Sequence, residues 1–289
     1  MTSTETEVTE RVRKSIKNSG MAQREVAHHI GLDETKLSKA LNGTRRFHPQ
    51  ELTDLADITG VTVNWLLSGS DETHGPSVPP PARILPTKHR EDSEHAQKRR
   101  AIIEAAWWLL ARRGYSAVRI ADIAYACDMS TAAIHYYFST KREIFAETLR
   151  YSIKLAFDRQ IAELHTITDP VRRLKRLIEL QLPAGERGSA EFSIWLQTWA
   201  DVAVDGSGKE NHAQGYRRWY KTVEDAILQG QESGVFVDIP SDQLAMELTS
   251  MVDGLGIKVL TGILTADQMY SHIESFIDRN IVLSQGSSA

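Results

Sequence analysis

Residues 100–145 read RAIIEAAWWLLARRGYSAVRIADIAYACDMSTAAIHYYFSTKREIF, and their spacing decides the fold. Ile102, Ile103, Ala106, Leu109 and Leu110 recur at helical intervals, and Gly114 ends that helix. A short helix from Arg119 to Ala126 follows. The turn Cys127-Asp128-Met129 then leads to Ser130, a good N-cap residue for a second short helix running through His135 and Tyr136. Ile123, Ala124, Met129, Ile134, Tyr137 and Phe138 form the interior set, and Lys141 opens a long new helix. Two short helices joined by a tight turn on an apolar support present the second helix outward, as entry into a DNA major groove requires.

This stretch resembles the N-terminal domain of the TetR family. The likeness runs through Gly114-Tyr115, Asp122-Ile123-Ala124, Met129-Ser130, Ile134-His135-Tyr136-Tyr137-Phe138 and Ser139-Thr140-Lys141. It implies that Thr131, Ala132, Ala133 and His135 approach base edges, while Arg119, Ser130, Tyr136 and Lys141 hold phosphates. Lys141 at a helix N-terminus would join a cation to outward-pointing amides. Two positions depart from the family pattern. Asp128 stands where a turn glycine is usual, and aspartate tolerates the left-handed conformation. His135 replaces a common tyrosine, and the alanines beside it leave direct readout to thymine methyls and DNA shape.

Residues 21–43, MAQREVAHHIGLDETKLSKALNG, repeat the same layout. Val26, Ala27 and Ile30 make the inner face of one helix, Gly31 the turn, and Asp33 the cap of the next. Leu37 and Leu41 would pack that second helix inward, which leaves Glu34, Thr35, Lys36 and Lys39 outside. Residues 9–68 resemble the XRE family, the Cro and lambda-repressor type of helix-turn-helix. By that likeness Gln23 and Asn42 hold phosphates, and Glu34, Thr35, Lys36 and Lys39 face bases. Arg45 and Arg46 follow at once and could grip the backbone. A small helical domain with a solvated charged face is the plainer alternative.

Between the modules, five prolines (Pro76, Pro79, Pro80, Pro81 and Pro86) exclude a helix interior and favour polyproline II. As a loose coil such a linker would reach about 30 Å. The chain therefore divides into an XRE-type module (1–68), a Pro-rich linker (69–95), a TetR-type module (96–145) and a helical effector-binding and dimerisation segment (146–289). Three- and four-residue apolar spacing continues to the C-terminus, Asp169-Pro170 and Pro240-Ser241 mark helix starts with Ser241 as a cap, and no period-two run suggests a sheet. The expected fold class is all-α.

The C-terminal segment has no HExxH, no phosphate-cradling glycine loop and no metal-ligand spacing. No enzyme activity, cofactor or metal is expected. Glu191, Trp195 and Trp199 lie four apart on one helical stripe, with Tyr216, Trp219 and Tyr220 on a later helix and Asp253 on one further on. Indoles beside a carboxylate suit an ammonium ligand. The competing reading makes the tryptophans core, with Glu191 in the first turn after a cap at Ser189. Ile194 to Ala200, with Asp253-Gly254-Leu255, is similar to the BetI-like branch of TetR sensors, which implies a small organic effector and admits a cationic one. Gly254 and Gly256 would let helices approach closely, and the last two helices would pair two copies into a homodimer.

Composition sets outer bounds. The 289 residues are 41% apolar and 25% charged, with a formal net charge of −4. Residues 1–68 carry nine basic and nine acidic side chains, and residues 151–289 thirteen basic against nineteen acidic, so the front is the more basic part. The single cysteine, Cys127, excludes an intrachain disulfide, and no stretch approaches membrane-spanning length. Together these features predict a cytoplasmic, ligand-responsive repressor that binds a palindromic double-stranded DNA operator as a homodimer and does not engage a membrane. A helical adaptor or architectural protein without effector control is the alternative.

Overall fold

The computed structural model describes residues 3–69, 93–206 and 209–283. Within them the chain is helical throughout, and the one extended pairing is an isolated antiparallel bridge between Phe236 and Val282. The proline-rich segment lies outside the described residues. The helices form two units: Met1–Arg100 with Ile153–His165, and Ala101–Ser152 with Thr166–Ala289. Residues 153–165, read from sequence as part of the C-terminal segment, thus belong with the first unit.

The first unit contains α1 (Ser3–Ser19), α2 (Gln23–His29), α3 (Glu34–Leu41), α4 (Pro49–Thr59) and α5 (Val63–Ser68). Val12, Val26, Leu37, Leu55 and Leu66 are fully buried, because each helix turns its apolar stripe to the same centre. Gly31 takes φ +68° in the turn, and the Asp33 carboxylate accepts the Lys36 N–H at 2.7 Å, so turn and cap follow from local chemistry. Ala162 joins this core and Ile161 packs against it. Both sit on α9 (Lys141–Leu164), a continuous helix that contributes its last turns to the first unit. On that stretch Lys154 donates to Asp158 at 2.7 Å, and Asp158 also accepts the Val63 N–H at 2.8 Å. The N-terminal turn of α5 is therefore capped by a side chain far away in sequence.

The second unit begins with the end of α6 (Ser93–Arg113), then α7 (Ile120–Ala126) and α8 (Thr131–Tyr137), which pack on the start of α9. Ile102, Trp107, Leu110, Val118, Ile123, Ile134 and Phe138 make this centre, each at most 1% exposed. Helices α10 (Pro170–Glu179), α11 (Gly185–Asp205), α12 (Lys209–Glu232), α13 (Ser241–Leu260) and α14 (Ala266–Asn280) build the rest. Their core is Leu174, Ile194, Val223, Ile227, Leu244, Leu248 and Ile273.

Two sequence-derived caps are displaced. Asp169 caps α10 as expected, accepting the Arg172 N–H at 2.6 Å. At α13, however, Pro240 occupies the cap and Ser241 is the first helical residue, since a preset proline φ suits the entry to a helix. Helix α11 starts at Gly185, before Ser189, whose hydroxyl instead donates back to the Pro183 carbonyl at 3.1 Å. Glu191 consequently sits inside the helix and not in its first turn.

Candidate nucleic-acid interface and ligand cage

Helices α7 and α8 are each capped at their N-terminus. The Arg119 N–H donates to Asp122 at 2.7 Å, and the Ser130 hydroxyl accepts the Ala133 N–H at 3.0 Å. That backbone bond, more than burial, keeps the Asp122 carboxyl below its usual range. Asp128 adopts φ 54°, the one left-handed non-glycine residue among those described. On this frame Arg119, Ser130, Thr131, Ala132 and His135 are exposed and Ala133 is half-buried. Tyr136 is 75% exposed and stacks edge-on against Tyr137.

Lys141 departs from its expected role. Its ammonium donates to the carbonyls of Tyr115 at 2.7 Å and Val118 at 2.9 Å, and lies 4.1 Å from the Tyr115 ring centre. Those carbonyls lie within the α6–α7 connection and draw the cation inward, so Lys141 braces the module instead of facing outward.

In the first unit, Gln23 is exposed as the first residue of α2. Glu34, Thr35, Lys36 and Lys39 share the exposed face of α3, with Lys36 3.3 Å from Asp33. Asn42 is exposed and accepts from Arg13 at 2.9 Å, and Arg46 is exposed as well. Arg45 is instead turned onto Glu51, with two nitrogens at 2.5 and 2.8 Å from the carboxylate oxygens. Burial tends to raise the Glu51 carboxyl, but Arg45 and the His48 N–H hold it below its ordinary value. A fork-on-carboxylate pair of this kind satisfies the guanidinium within its own module.

The C-terminal helices gather most of the expected aromatic residues. Trp195 and Trp199 on α11 have ring centres 6.3 Å apart. His212 on α12 stands edge-on to Trp195 at 5.9 Å and stacks on Tyr216 at 6.0 Å. The Tyr216 hydroxyl donates to Asp253 on α13 at 2.6 Å. Burial pushes the Asp253 carboxyl up, opposed by that hydrogen bond, and burial with the Asp253 contact pushes the Tyr216 phenol up. Phe192 closes the group, edge-on to Trp199 at 6.0 Å. A Cβ at Gly256 would come within 2.1 Å of the Phe192 ring, so the close approach expected of this glycine joins α11 to α13. Gly254, by contrast, is exposed with open space around it.

Glu191 is buried one turn before Trp195 on α11. Tyr220 is turned elsewhere, donating to the Asp242 carbonyl at 2.7 Å, and Trp219 is half-buried on the same α12. Phe192 and His212 were not foreseen. Single aromatic or histidine positions carry no ligand signature until the neighbouring helix is in place.

Helix α11 also reaches the segment that leads into the helix-turn-helix. Between the two tryptophans, Gln197 donates to the Leu110 carbonyl at 3.0 Å and accepts the Tyr115 N–H at 2.8 Å. Ser193 donates to the Ala111 carbonyl at 2.8 Å. The helix carrying the aromatic cage is thus hydrogen-bonded to the end of α6 and the start of the α6–α7 connection.

An outward-facing helix-turn-helix joined to a helical body with an aromatic–carboxylate cage defines a ligand-binding transcriptional regulator. Residues 102–148 match the bacterial regulatory proteins of the tetR family, and residues 170–282 match the C-terminal domain of BetI-type transcriptional repressors. A protein from Saccharomonospora viridis, described as a transcriptional regulator and solved in complex with choline, is 48% identical, with a TM-score of 0.63. The similarity covers 65% of this chain and all of that one. The HTH-type regulator BetI of Rhizobium meliloti is 23% identical over 164 residues, 56% of this chain and 77% of its own. The repressor KstR2 of Mycolicibacterium smegmatis is 27% identical over 141 residues, 48% of this chain and 69% of its own. The chain belongs to the TetR family of transcriptional regulators and has a BetI-type C-terminal domain. No helix among the described residues is long and apolar enough to cross a membrane.

Proposed function

We propose that the protein is a ligand-responsive repressor that binds a palindromic operator as a homodimer and releases it when a small organic cation occupies the cage of α11–α13. The observation that carries this reading is the juxtaposition on α11. Trp195 and Trp199 face the ligand site, while Gln197 between them holds the end of α6 and the α6–α7 connection, which lead into the helix-turn-helix, at Leu110 and Tyr115. Aromatic faces attract a quaternary ammonium, and the Asp253 carboxylate adds opposite charge. A ligand that fits only one arrangement of α11 shifts the reading heads by its differential affinity. The choline bound by the Saccharomonospora viridis protein supports the same ligand class.

Thr131, Ala132, Ala133 and His135 read bases in this proposal, with Arg119, Ser130 and Tyr136 on phosphates. Dimer pairing uses α13 and α14; on α13, Met246, Ser250, Gly254 and Ile257 lie exposed at helical spacing. Residues 1–68 act as a second, XRE-type head, reading through Glu34, Thr35, Lys36 and Lys39, with Gln23, Asn42 and Arg46 on the backbone. The four-segment division at 68, 95 and 145 belongs to the same proposal as a division of roles, with residues 153–165 packed in the first unit.

The test is selection of bound duplex from a random pool with the full chain, with and without choline, at several salt concentrations. A ligand-responsive repressor recovers a palindrome, binds it with a steep salt slope, and loses it on choline addition. Recovery of no motif would instead identify an adaptor. A variant carrying Thr35→Ala, Lys36→Ala and Lys39→Ala should shorten or weaken the recovered motif, and an unchanged motif would remove α3 from the reading surface.

A further inference from the structure

A buried polar atom of the cage stands unexplained by the contacts above. Among the described residues, His212 Nε2 is buried without a hydrogen-bond partner, and its ring lies between the Trp195 and Tyr216 rings. A buried imidazole nitrogen with no partner is costly, and one inside a ligand cage has a natural occupant in the ligand itself. The Tyr216 hydroxyl, its neighbour in the stack, is already committed to Asp253.

We infer that His212 is a specificity-determining residue of this cage, whose Nε2 hydrogen-bonds the hydroxyl of a hydroxylated quaternary ammonium. This rests on the cage reading above and adds the part of the ligand that aromatic faces cannot recognise. A hydroxyl both donates and accepts, so it satisfies Nε2 in either neutral tautomer. A carboxylate satisfies only the protonated nitrogen, and it would meet the Asp253 carboxyl in the same site. An alkyl group satisfies neither tautomer and leaves the nitrogen orphaned. Burial also lowers the His212 pKa, which keeps the ring uncharged beside a cationic ligand.

The experiment compares choline with n-propyltrimethylammonium, which puts a methyl in place of the hydroxyl at nearly the same size. Calorimetric titration of the full chain should give choline an advantage of about ten-fold, the worth of one hydrogen bond in a dry site. In His212→Phe, which keeps an aromatic ring, the affinity ratio should fall close to one. His212→Gln, which keeps a donor and an acceptor, should restore part of it. Equal affinities in the wild type, or an advantage undiminished in His212→Phe, overturn the assignment of His212 while leaving the cage intact. Should His212→Phe bind neither cation, the ratio in His212→Gln decides: an advantage supports the assignment and a ratio of one overturns it. If the wild type binds neither cation, the cage reading itself fails and takes this inference with it.

Discussion

The Asp158 carboxylate on α9 accepts the backbone N–H of Val63 at the start of α5, at 2.8 Å, while holding Lys154 at 2.7 Å. Both charged side chains are nearly or fully buried. Removing one of them strands the other, so Asp158→Ala should destabilise the first unit by about 3–5 kcal/mol. The combined change Asp158→Leu and Lys154→Met removes both charges and should recover much of that loss. Urea unfolding checks the energies, and hydrogen exchange at Val63 checks the lost cap. Equal destabilisation by the single and combined changes would contradict the pairing argument.

Acid should loosen the first unit through Glu51. Its folded carboxyl lies below the ordinary value of 4.5, because Arg45 and the His48 N–H outweigh burial. The stability it supplies is therefore full above that ordinary value and lost as pH falls through the depressed one. Glu51→Gln should flatten this part of the acid-unfolding curve, and an unchanged curve would show that the pair contributes nothing.

Readout by α8 should separate specificity from grip. His135→Ala should cost about 1–3 kcal/mol against the selected operator and relax preference at one base position. Arg119→Ala should weaken all sequences alike and lower the salt slope by about one. Lys141→Ala should act differently, by destabilising the module, since its ammonium holds the Tyr115 and Val118 carbonyls. Binding titrations over a salt series, paired with thermal unfolding, distinguish the three.

Cation affinity should fall on acidification. Burial raises the Asp253 carboxyl, so its charge is lost at a higher pH than an ordinary carboxylate's. His212 on α12 faces the same cage, and its protonation at low pH would add repulsion, while the Tyr216 phenol stays neutral. Asp253→Asn should weaken choline at neutral pH by roughly ten-fold and reduce the pH dependence. Trp195→Ala and Trp199→Ala should weaken it at every pH. A calorimetric pH series gives all four comparisons.

Uncoupling is the expected effect of Gln197→Leu. The side chain connects α11 to Leu110 and Tyr115, so its loss should spare choline binding and reduce choline's effect on operator affinity. A variant still fully released by choline would place the transmission elsewhere.

Local chemistry was readable from the sequence, and long-range commitments were not. Asp33, Ser130 and Asp169 cap the helices that their spacing predicts, and Asp128 takes the left-handed turn. These depend on residues a turn away. Lys141 and Arg45 went astray because carbonyls and a carboxylate brought close by folding outcompete solvent for them. The tryptophan pair on α11 was legible from four-residue spacing. His212 and Phe192 joined it only through helix packing, which no single periodicity encodes. The attachment of residues 153–165 to the first unit was invisible for the same reason, since α9 reads as one uninterrupted helix.

Gly256 presses directly on Phe192, which in turn stands edge-on to Trp199. A single missing methyl group on α13 therefore acts as a caliper for the chamber, setting how deep the wall behind the indole can recede. Relatives that carry alanine or serine there would be tuned to slimmer molecules without altering any group that touches the guest.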